Sequence, residues 1–97
     1  MDIVKIFDGY IISKIQKEDV RNYVLNHSAK EKCLSNLKEQ IFKAFGVLDG
    51  MKTLDKRQKA IESMIETVAN MFAIAALGQK EKELGINQVV EEIPDLD

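Results

Sequence analysis

Apolar residues along most of this chain recur at steps of three and four, the repeat of a helix with one face turned inward. Leu34, Leu37, Ile41, Ala44, Phe45 and Leu48 draw the clearest such stripe and predict a helix ending near Gly46 or shortly after. Ser28-Ala-Lys-Glu31 stands just before it with the spacing of a capping box, in which serine and glutamate each accept a backbone donor. Upstream, Val20, Tyr23 and Val24 share one side of a shorter helix predicted from about Glu18 to Asn26. Glu18 and Asp19 suit its positive end, and Asn26-His27-Ser28 reads as the break that follows.

The longest element is predicted over about 54–77, after a turn at Asp49-Gly50, with Thr53 as N-cap and Gly78 as C-cap. From Leu54 the positions Ile61, Ile65, Val68, Phe72 and Ala75 advance in alternating fours and threes. That is a coiled-coil seam, which Met64 and Met71 widen. Beyond Thr67 only Asn70 is polar before Gly78, so other chain must surround this half. A helix from Leu54 to Leu77 would run about 36 Å, more than the ~32 Å diameter of a compact globule of this size. It is therefore expected to protrude or to pair. A homo-oligomer, dimer or higher, or a complex with another protein would use Ile61, Met64, Ile65, Val68, Met71, Phe72 and Ala75.

The first segment supports two readings. Asp8-Gly9 between β-branched and aromatic residues is a hairpin signal, whereas Ile3, Phe7, Tyr10, Ile11 and Ile15 follow helical steps. Pairing Phe7 with Tyr10 across a turn would put Lys5 and Lys14 on the apolar face, so helix is the preferred reading. At the other end, Gln79-Lys-Glu-Lys-Glu83 is a solvated charge run. Residues 86–97 form a separate short helix and acidic tail, with Val89, Val90 and Ile93 on one face and Pro94 ending it. Glu91, Glu92, Ile93, Asp95, Leu96 and Asp97 set acids around single apolar side chains, a composition suited to a basic, grooved partner. The predicted architecture is all-α: a helical domain over 1–85 with four to five helices in all.

Composition narrows the function classes. Five glycines and one proline are too few for a meander of many strands. Fourteen Lys and Arg against sixteen Asp and Glu give a net charge of −2, which provides no overall basic field for nucleic acid. No membrane contact is expected either, because the uncharged stretch from Thr67 to Gln79 falls short of the roughly 18 residues of a span. The N-terminus has no basic region before an apolar core, and the chain reads as cytoplasmic. One cysteine and one histidine supply neither a disulfide nor the usual structural zinc set, and no cofactor is expected.

Candidate chemistry is sparse. His27 and Cys33 are the nearest thing to a base and nucleophile, but nothing signals a lowered thiol pKa or an oxyanion hole. A loop histidine and a half-buried small apolar cysteine explain them more simply. Glu62 and Glu66 lie four apart without the Glu-x-x-His partner of diiron bundles, and no phosphate-binding glycine loop occurs. Lys52, Lys56, Arg57 and Lys59 cluster at the start of the long helix and could grip a phosphate backbone. Lys30, Lys32, Lys38 and Lys43 spread along the third helix, which offers no arginine to read guanine. The expectation is a non-enzymatic helical interaction protein, an adaptor, assembly or regulatory subunit. A nucleic-acid-associated regulator using 52–59 is the alternative.

Overall fold

The computed structural model describes residues 1–84, with side chains described through Lys80. Four α-helices follow one another: α1 (Ile3–Lys14), α2 (Glu18–Leu25), α3 (Lys30–Phe45) and α4 (Asp55–Leu84). Among the described residues there is no strand. The short helix expected within 86–97 lies outside them.

The N-terminal segment is helical, with Asp8-Gly9 in mid-helix. Its Ile3, Phe7 and Ile11 are all buried, as is Ile15 just beyond the C-terminal end. A hairpin would have divided these residues between two faces. Asp2 caps the helix by accepting a hydrogen bond from the Lys5 amide at 3.0 Å. α2 buries Val20 and Val24 and carries Glu18 and Asp19 in its first turn.

α3 departs from the sequence reading at its start, because the capping box does not form. The helix begins at Lys30, and the residue at its cap position, Ala29, makes no side-chain cap bond. His27 acts in its place: its Nδ1 accepts from the Ala29 amide at 3.1 Å and its carbonyl accepts from the Lys30 amide at 3.0 Å. The imidazole is held for this by edge-on contacts with Tyr23 and Phe72 and by a 2.9 Å hydrogen bond between Nε2 and Gln79 Oε1. Leu34, Leu37 and Ile41 form the buried stripe, and Gly46 ends the helix in the left-handed region at φ 69°.

α4 differs at both ends. Leu54, not Thr53, occupies the cap position and its carbonyl accepts the first helical bond, from Gln58; the buried Thr53 hydroxyl makes no hydrogen bond. Gly78 does not stop the helix, which continues through it to Leu84. A glycine inside a helix costs only about 1 kcal/mol relative to alanine, and the turn before Gly78 is anchored by buried Ala76 and Leu77. Thirty residues make α4 about 45 Å long at 1.5 Å per residue, matching the 44 Å long dimension of the molecule.

The other helices pack against α4. Phe7 of α1 meets Phe72 with ring centroids 5.6 Å apart. Ile61, Ile65, Ala69, Ala73, Ala76 and Leu77 join the residues of α1–α3 in one core, completed by Val47 from the α3–α4 connection. Among the described residues no polar or charged side chain is buried in it. Asp49 fixes the connection to the start of the chain. Its Oδ1 accepts from the Ile3 amide at 2.8 Å, and its Oδ2 lies 3.1 Å from Lys38 Nζ. Backbone bonds between Gly50 and Met1, and between the Met1 amine and Met51, close the same junction.

Candidate interaction surface

The seam expected to face a partner is divided by the fold. Ile61, Ile65 and Phe72 are buried inside the chain, and Met64 and Val68 are half-buried against the core; Met71 and Ala75 are exposed. Three of the seven thus cover α1–α3 within the chain, and Met71 and Ala75 are the members left exposed. The bulky β-branched and aromatic residues of that seam went to the core, where they remove most apolar area from water.

A second stripe runs along the side of α4 that faces away from the core. Ala60, Met64, Thr67, Met71, Ile74 and Gly78 are spaced four, three, four, three and four residues apart, the same coiled-coil repeat displaced by one residue, about 100° around the helix from the expected seam. All are exposed except half-buried Met64; Met71 is 65% exposed and Ile74 46%. Exposed Ser63 and Ala75 flank the stripe. No charged residue occurs between Thr67 and Gln79, so this outer face lacks the charges that ordinarily solvate an exposed helix. The sequence carried this signal, but periodicity alone does not say which of two seams faces the core.

The four basic residues of 52–59 lie at the corner where α3 meets α4, and all are exposed. Arg57 reaches across it, donating to the Phe45 carbonyl at 3.4 Å. Lys52, Lys56 and Lys59 form no ion pair with another described residue. Large apolar side chains stand exposed beside them: Phe42 at the end of α3, Leu48 and Met51 in the connection, and Leu54, 72% exposed, before α4. A corner that is both basic and apolar is suited to an acidic, apolar segment.

Neither protein-family models, nor curated proteins, nor solved structures match this chain. Its surface chemistry therefore stands on its own residues.

The other candidates carry less. Both nitrogens of His27 are engaged with Ala29 and Gln79, so neither serves Cys33 as a base. Burial pushes the Cys33 thiol up, away from the reactive thiolate. Glu66 accepts a hydrogen bond from Tyr10. Burial first, and then the charges of Glu66 and Glu62, raise the Tyr10 phenol above its usual value, so it remains a neutral donor. Among the described residues no three His, Cys, Asp or Glu side chains gather as metal ligands. An open groove of about 630 Å³ between α1 and α3 is lined by His27, Lys30 and Lys38 among others. Its lysines are paired, Lys30 with Asp8 at 2.6 Å and Lys38 with Asp49.

One property of α4 departs from the sequence reading. Within Asp55–Lys80 it is long and apolar enough, with mean hydropathy 1.4, to pass the length and composition test for crossing a membrane. The uncharged stretch alone was too short, but a full 18-residue window includes few charges. Of that window 39% is buried in the fold.

Proposed function

We propose that this chain is a helical interaction protein without catalytic chemistry of its own, an assembly or regulatory subunit that self-associates through the outer face of α4. The observation that carries the reading is the uncharged stripe of Ala60, Met64, Thr67, Met71, Ile74 and Gly78, opposite the core and uncovered by the other described residues. Small residues at both ends of the stripe let a second helix approach closely, and Met71 and Ile74 supply apolar area near the middle. Flexible methionines fit such a surface because they fill irregular gaps against a facing helix.

Light scattering and sedimentation at roughly tens of micromolar test this. The expected mass is a dimer or higher, and Met71→Glu with Ile74→Glu should give a monomer of unchanged helicity, since both side chains already face water. A wild-type chain that stays monomeric, or that pellets with lipid vesicles instead of self-associating, overturns the reading. The exposed basic cluster favours a second reading, contact with nucleic acid. Salt-dependent retention of DNA or RNA, lost when Lys52, Lys56, Arg57 and Lys59 are all replaced by glutamine, would support that instead.

A further inference from the structure

The basic, apolar corner between α3 and α4 needs an occupant, and the chain itself contains a segment of matching chemistry. Over residues 46–60 four basic side chains outnumber two acids, Asp49 and Asp55, and Asp49 is already paired with Lys38. Residues 85–97 carry Glu91, Glu92, Asp95 and Asp97 with no basic residue, interleaved with Val89, Val90, Ile93 and Leu96. Plus two faces minus four, and each segment sets apolar side chains among its charges.

Reach decides whose tail docks there. The corner lies at the start of α4, about 45 Å from Leu84 at its end. Twelve residues, fully extended at about 3.6 Å each, span ~43 Å, so a chain's own Leu96 falls short of its own Leu54. A second copy removes the difficulty. If two α4 helices pair antiparallel along the outer stripe, Ala60 of each meets Gly78 of the other and the crossing falls near residue 69. The end of one helix then lies beside the start of its partner, and the tail begins next to the corner it must fill.

We infer that residues 89–97 of one copy dock on the Phe42, Leu48, Met51 and Leu54 corner of a second copy, with Glu91, Glu92 and Asp95 against Lys52, Lys56 and Lys59. The exchange is reciprocal, so one two-fold dimer contains two such contacts. The inference rests on the self-association proposed above and specifies how its two ends are held.

A charge swap in the full-length chain tests it. One variant carries Lys52→Glu, Lys56→Glu and Lys59→Glu; these side chains are exposed and form no ion pair with another described residue, and acids in the first turns of α4 suit its dipole. The other carries Glu91→Lys, Glu92→Lys and Asp95→Lys. Each alone should dimerise at least about tenfold more weakly than wild type, because like charges meet at both ends. An equimolar mixture should recover the affinity, since each corner then meets a tail of opposite sign. If the tail docks within its own chain, mixing restores nothing and the inference is overturned. It is also overturned if both variants dimerise as wild type does, an outcome that leaves the α4 interface standing. Wild type failing to self-associate removes the earlier reading together with this one.

Discussion

Replacing Asp49 by alanine removes the contact that holds the α3–α4 connection against the first turn of α1. The Ile3 amide belongs to that first turn, whose donors have no partner inside the helix, and it receives one from a residue forty-six positions away. Loss of a side-chain cap costs about 0.5–2 kcal/mol. The Lys38 pair is partly solvated, with side chains 39% and 32% exposed, and adds the lower part of the ~0.2–1 kcal/mol typical of surface pairs. Asp49→Ala should therefore cost about 1–2.5 kcal/mol, and Asp49→Asn, which keeps one acceptor oxygen, about 1 kcal/mol or less. A domain of this size holds roughly 5–15 kcal/mol in total, and each kilocalorie moves Tm by about 4–8 °C. Urea unfolding followed by circular dichroism would resolve both changes.

The pH dependence supplies a second check. The hydrogen bond from Ile3, opposed by burial and helped by Lys38, holds the Asp49 carboxyl below its ordinary value of 3.8. The folded state thus favours the carboxylate. The resulting stability is complete above the unfolded-state value and is lost as pH falls through the lower folded one. The gap between wild type and Asp49→Ala should be full near neutrality and begin to close below about pH 4. Equal stability of the two proteins at neutral pH, or a gap that widens on acidification, would refute this account. A cycle with Lys38→Ala separates the two contacts: coupling above about 1 kcal/mol would mean that the ion pair, not the Ile3 bond, holds the junction.

Glycine positions should respond with opposite signs. At Gly46, with φ 69°, alanine is strained and should cost about 1 kcal/mol, while at Gly9, helical and with nothing within 4 Å of an added Cβ, it should add roughly 0.5–1 kcal/mol in the same assay. Ile65→Ala leaves a cavity in the core between α4 and its neighbours and should cost about 2–5 kcal/mol, against less than about 0.5 kcal/mol for Gln40→Ala on the exposed side of α3; similar losses at both would contradict this division between core and surface. Cys33 should react with a thiol reagent more slowly than free cysteine at the same pH, because its thiol is half-buried and shifted up; a faster reaction would point to an activated thiolate.

The helical architecture was legible because three- and four-residue steps placed Ile3, Phe7 and Ile11, then Leu34, Leu37 and Ile41, on single faces, and burial followed those faces. Helix ends were less legible. Ser28 carries the right spacing for a cap, but the cap is decided by His27, whose ring is positioned by Phe72 and Gln79, more than forty residues away. Gly78 looked like a stop because local propensity was weighed without the buried Ala76 and Leu77 that hold the helix through it. The interaction surface was half legible: α4 carries two seams with one repeat, and only the packing of α1–α3 selects which of them remains outside. The exposed Phe42 and Leu54 were not read as a surface, because Phe42 lies off the apolar stripe of its helix and Leu54 was placed at the start of the seam expected to be covered.

The contact between Phe7 and Phe72 also sets an order of events during synthesis. α1 leaves the ribosome before α2, α3 and α4, yet the helix that covers its apolar face is the last described element to be made. At about 5–20 residues per second, sixty-five residues separate the two rings by roughly 3–13 s. Through that interval Ile3, Phe7, Ile11 and Ile15 have no α4 to pack against. A nascent chain halted before Phe72 should therefore remain protease-sensitive, and one long enough to expose all of α4 should become protected in a single step.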